Sequence, residues 1–110
     1  MAYDEVLADR IRELVGGGEG VTEQKMFGGL AFLVNGNMAV AASGQGGLLV
    51  RVDPAEADDL VREDVEPMVM RGRKMRGWLR ITAAAVDAPD QLEQWVARGA
   101  SYARSLPAKR

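Results

Sequence analysis

Leu30-Ala31-Phe32-Leu33-Val34-Asn35-Gly36-Asn37-Met38-Ala39-Val40-Ala41-Ala42-Ser43 is the stretch that decides the fold. Both central residues of a type I′ turn need positive φ, which Asn and Gly tolerate, so Asn35-Gly36 between two apolar runs signals a β-hairpin. The pattern predicts strands over residues 30–34 and about 37–43. On the N-terminal side, residues 24–27 read as a short strand, with Gly28-Gly29 as a bend or bulge before the hairpin. On the C-terminal side, Gly44-Gln45-Gly46-Gly47 reads as a turn, because a loop between two strands lacks the helix N-terminus of a phosphate cradle. A strand over residues 48–52 follows, with Leu48, Val50 and Val52 on one face.

Helices flank this sheet. Val6, Leu7, Ile11, Leu14 and Val15 recur at helical spacing, Asp4 and Glu5 sit at the positive end of the dipole, and Gly16-Gly17-Gly18 closes the segment. Asp53-Pro54-Ala55-Glu56 is a helix start with an N-cap, a proline at the first position and a Glu placed to return a capping bond. Its apolar side is Ala57, Leu60 and Val61. Residues 67–77 show no periodicity and read as a loop before a short strand over residues 78–81. Asp87, Pro89 and Asp90 open a last helix, with Leu92, Trp95, Val96, Gly99, Tyr102, Ala103 and Leu106 on one face. Gly99 on that face predicts close contact between helix and sheet. The expected fold is therefore α+β, an antiparallel sheet of about five strands with three helices in the order α-β-β-β-β-α-β-α. One domain is expected over residues 1–110, its core spanning about 3–106.

Composition sets the chemistry. At 47% hydrophobic and 27% charged residues the 110-residue chain is of the ordinary globular class. It contains no cysteine and no histidine, which removes disulfides, thiolate and imidazole metal ligands, Cys nucleophiles and His-based triads. Residues 26–50 carry no charge, yet glycines and polar residues interrupt them too often for a membrane span. The acidic start, Met1-Ala2-Tyr3-Asp4-Glu5, lacks the basic and apolar regions of a signal peptide and points to the cytoplasm. Charge is uneven: residues 1–66 hold 5 basic and 13 acidic groups, residues 67–110 hold 9 and 3.

Two stretches carry a resemblance: Lys25-Met26-Phe27-Gly28-Gly29-Leu30-Ala31-Phe32-Leu33-Val34-Asn35-Gly36-Asn37-Met38, and Met70-Arg71-Gly72-Arg73-Lys74-Met75-Arg76-Gly77-Trp78. With Leu49-Val50-Arg51-Val52-Asp53 between them, they resemble the N-terminal domain of the TfoX/Sxy family of competence regulators, over residues 3–106. The resemblance implies an α+β fold and a non-catalytic regulatory role through protein contacts. It supplies no catalytic residues. The C-terminal helical domain of the best-known members has no counterpart in these residues.

The candidate site is the cationic stretch Arg71, Arg73, Lys74 and Arg76, with Trp78 and then Arg80, where residues 67–81 contain no acid. Guanidinium groups bind phosphates bidentately and an indole can stack on a base, so the alternative to a protein contact is phosphate or nucleic-acid binding. A sequence pI near 5.1 weighs against a dedicated nucleic-acid binder. The competing structural reading pairs these cations with the carboxylates of Asp53, Glu56, Asp58, Asp59, Glu63, Asp64 and Glu66 directly before them. Met68, Met70 and Met75 are the methionines expected to face a partner, and Met26 and Met38 those expected in the core. Asp58-Asp59 and Glu63-Asp64 read as a solvated helix face rather than as a Mg²⁺ or acid/base pair, and Lys25 lacks a partner group for nucleophilic use. No enzyme activity, cofactor, metal or membrane partner is expected.

Overall fold

The described residues of this computed structural model are 4–16, 18–26 and 28–108, with Met70 represented by its backbone. Asp4 starts the first helix, α1 (Glu5–Val15). Its Oδ1 accepts hydrogen bonds from the Val6 and Leu7 N–H groups at 2.9 and 3.1 Å, satisfying donors that a first helical turn leaves without partners. Leu7, Ala8 and Ile11 are buried, and Val15 packs against the same core. Val6 and Leu14 do not join them as expected, and Val6 is 69% exposed. Neighbouring helical residues point about 100° apart, so a stripe centred on 7, 8, 11 and 15 turns Val6 outward, while Leu14, at the edge of the stripe in the last turn, is 44% exposed. Gly17, expected to help end this helix, and Phe27, expected in the first strand, lie outside the described residues.

The chain continues through β1 (Val21–Met26), β2 (Gly29–Val34), β3 (Asn37–Ala42), β4 (Leu48–Arg51), α2 (Pro54–Leu60), β5 (Val65–Met70), β6 (Arg73–Ile81), α3 (Ala83–Val86) and α4 (Pro89–Ser105). The strands form one antiparallel sheet in the order β1-β2-β3-β4-β6-β5. The α+β class is as expected. Among the described residues there is one more strand, β5, and one more short helix, α3, than the sequence pattern indicated. Asn35 and Gly36 turn the central hairpin with φ of 53° and 82°, the positive values a type I′ turn requires.

All four described helices contribute to one layer. Leu30, Phe32, Val40, Leu48, Val50 and Ile81 from the sheet are buried in one cluster with Leu7, Ile11, Val86, Leu92, Trp95 and Val96 from α1, α3 and α4. Full burial of each such aliphatic or aromatic side chain stabilises by about 1.5–3 kcal/mol. Ala57 and Leu60 of α2 pack at the margin of this cluster, and Val61 is largely exposed. Asp53 caps α2 by accepting from Ala55 N–H at 2.9 Å; among the described residues Glu56 returns no capping bond. Gly99 is buried at the contact of α4 with β3, where a Cβ would lie 2.5 Å from the Ala39 carbonyl oxygen. The close helix-to-sheet approach expected at Gly99 is therefore present. Tyr102, expected on the buried face, is half-buried and lies beneath the Arg51 guanidinium at 5.8 Å.

The other face of the sheet has its own apolar layer. Ala31, Leu33, Ala41, Leu49 and Met68 are buried there, flanked by half-buried Met26, Met38, Met75 and Trp78. No described helix packs on this cluster. The small alanines sit low, and the methionines and the indole close over them.

Candidate interaction site on the edge hairpin

Residues 67–77, expected as a loop, are instead two paired strands. β5 and β6 meet in the register Met70↔Arg73 and Val69↔Lys74, and a two-residue turn joins them at Arg71 (φ 54°) and Gly72 (φ 77°). This is the backbone of the Asn35-Gly36 turn with arginine in its first central position. Left-handed backbone costs a residue bearing a Cβ about 1–2 kcal/mol. Pro67 is compatible with β5 because that strand lies at the sheet edge, where a missing N–H need not face a neighbour.

A second irregularity lies in β6. From Pro67 to Val69, β5 advances two residues, while the paired positions on β6, Leu79 and Lys74, are five apart. Gly77, with φ of 81°, lies in this bulge. Met75 and Trp78 both pack on the helix-free face although their odd spacing would separate them in a regular strand. The bulge restores that phase.

The five candidate residues are thereby distributed. Arg71, Arg73, Lys74 and Arg76 are exposed and Trp78 is half-buried. Arg71 occupies the turn and Arg73 pairs with Met70 across the hairpin. Lys74, Arg76 and Trp78 line a cavity shared with Asp58 of α2. Arg80 is engaged elsewhere: it donates to the Gly46 carbonyl at 3.0 Å, to Ser43 Oγ at 3.2 Å and to Gln45 Oε1 at 3.2 Å. It holds the turn of residues 44–47 in place, the structural role expected for that glycine loop.

The expected alternative pairing of the hairpin cations with the acidic stretch does not form. Among the described residues, the ion pairs within 4.0 Å are those of Arg12, to Asp9 and to Glu23. Arg12 Nε and Nη2 donate to the two carboxylate oxygens of Glu23 at 2.6 and 2.8 Å, tying α1 to β1. Those hydrogen bonds hold the Glu23 carboxyl below its ordinary range, against an opposing effect of desolvation. Lys25 is exposed on β1. Among the described residues no group of three or more Asp and Glu side chains is placed to hold a metal ion, and no helix is long and apolar enough to cross a membrane.

The methionines need two corrections. Met68, expected to face outward from a loop, is buried in β5, because the segment is a strand whose alternate residues reach the second apolar layer. Met26 and Met38, expected in the core, are half-buried at the margin of that layer. Met75 is half-buried among them, and the side chain of Met70 lies outside the described residues. Met26 ends the edge strand β1 and Met38 lies near the start of the interior strand β3, so strand placement alone does not tell how far either side chain is covered.

No curated protein matches the chain. The sequence model of the TfoX N-terminal domain matches residues 13–103, which takes in every strand and both halves of the resemblance read from the sequence. The chain belongs to the TfoX N-terminal domain family.

Proposed function

We propose that the chain is a small non-catalytic interaction module, with a part in transcriptional regulation, that engages a protein partner through the helix-free face of its sheet and the cationic hairpin beside it. The observation that carries this reading is the second apolar layer, where Met26, Met38, Met75 and Trp78 lie half-buried against a cluster to which no described helix contributes a residue. Methionine suits such a surface because its unbranched, polarisable side chain repacks against differently shaped partners. The exposed cations at the adjoining sheet edge favour a partner whose apolar patch is bordered by carboxylates. Cross-interface charge of this kind sets orientation and encounter rate more than affinity.

Affinity capture from the native cell with the wild type and with the Met38→Gln/Met75→Gln variant tests this. Glutamine keeps the side-chain length and removes the apolar end. The variant should lose the main protein partner while its circular dichroism and melting midpoint stay close to wild type. Capture of the same partner at undiminished yield would exclude the face from recognition.

The absence of ion pairs at Arg71, Arg73, Lys74 and Arg76 among the described residues also supports phosphate or nucleic-acid binding as a second reading. That reading requires affinity for a nucleic-acid panel to fall by orders of magnitude between about 50 and 200 mM salt. A flat salt profile would remove it.

A further inference from the structure

The bulge in β6 borders a cavity of about 350 Å³ between the edge hairpin and α2, which reaches Met75 and Trp78 at the margin of the methionine layer. Bulges recur next to binding sites because they re-aim side chains that a regular ladder would fix. Here the strand is pressed against the start of α2 at Gly77, where a Cβ would lie 3.0 Å from the Val52 carbonyl oxygen and 3.1 Å from Pro54 Cγ. The cavity lies beside that contact. Its apolar lining includes Ala57, Val61, Pro67, Met75 and Trp78; Lys74 and Arg76 supply two exposed cations, and Asp58 the one acid. Val61 of the lining is 41% exposed, and Val69, 58% exposed, pairs in register with Lys74 on the neighbouring strand.

We propose that this cavity binds a small amphipathic carboxylate. The volume is at the lower end of the range for small-molecule sites, so the ligand has an apolar body of roughly eight to twelve non-hydrogen atoms. That body packs against Val61 and Pro67, and the carboxylate meets Lys74 and Arg76, whose charge outweighs that of Asp58. This ligand site shares Met75 and Trp78 with the margin of the protein-contact face, and its test with small probes needs no protein partner, so failure of either reading leaves the other standing.

Titration of octanoate into the ¹⁵N-labelled chain, followed by amide chemical shifts, tests the proposal, with octan-1-ol, octylamine and inorganic phosphate as comparison probes. Amides of Asp58, Lys74 and Gly77 should shift and saturate with octanoate, at an affinity of about 1 mM or tighter, while those of Thr22 and Gln24 on the far edge of the sheet stay still. Lys74→Ala/Arg76→Ala should weaken octanoate by about tenfold or more, and Asp58→Asn should strengthen it. Absence of a saturable shift, equal binding of octylamine or octan-1-ol, or equal binding of phosphate would overturn the proposal. The probe comparison on the wild type decides the matter even if a variant fails to fold.

Discussion

The chain turns twice through the same backbone, at Asn35-Gly36 and at Arg71-Gly72, with φ pairs of 53° and 82° and of 54° and 77°. The central turn joins β2 and β3, whose residues are buried almost throughout, and its first position carries Asn, a residue suited to left-handed backbone. The edge turn joins β5 to the bulged β6 and places Arg at the strained position. The central hairpin is built for stability. The edge hairpin gives up local stability, and what it gains is a projecting group of cations and an irregular strand.

Three measurements sharpen or break that contrast. The largest effect belongs to Gly36→Val, which forces a β-branched residue into positive φ and should lower global stability by about 1–2 kcal/mol or more; an unchanged melting midpoint would remove the turn from the stability account. Gly72→Val meets the same local penalty, yet the tip of the edge hairpin can open without the rest of the sheet. Its midpoint should fall less than that of Gly36→Val, with faster amide exchange concentrated in residues 69–74; equal loss in the two variants would make the hairpins one cooperative unit. Next, Arg71→Asn should raise stability by a few tenths to about 1 kcal/mol, because Asn tolerates the left-handed region better. A loss of stability would mean that the arginine side chain contributes to the fold.

The first hairpin was legible because its turn residues and its apolar runs agree. Helix α4 was legible for the same reason: Leu92, Trp95, Val96, Gly99 and Ala103 keep one period and all are buried. The second hairpin was hidden twice. Arg71 is a poor turn signal, and the bulge around Gly77 breaks the alternation by which strands are recognised, so residues 67–77 looked aperiodic. The cationic residues were legible as a group, whereas their division between the turn and the α2 cavity depends on strand phase. The one-sided placement of the helices was not legible either, since periodicity reports that a strand has two faces and not which elements cover them.

The smallest effect concerns the tie between α1 and β1. Glu23 titrates below its ordinary range in the folded chain because Arg12 donates to its ionised form. A depressed folded value means that this contribution to stability is present above the unfolded pKa and is lost as pH falls through the folded one. Glu23→Gln should therefore melt closer to wild type below about pH 4.5, the ordinary carboxylate value, than at neutral pH. A difference that does not change with pH would contradict the pairing.

The most direct measurement compares the wild type with Arg71→Ala/Arg73→Ala, reading the melting midpoint and capture of the native protein partner from the same preparations. If these cations serve recognition rather than folding, capture of the partner falls and loses its salt dependence while the midpoint stays where it was. Full retention of the partner together with a lowered midpoint would contradict this, assigning the cations to the internal electrostatics of the domain.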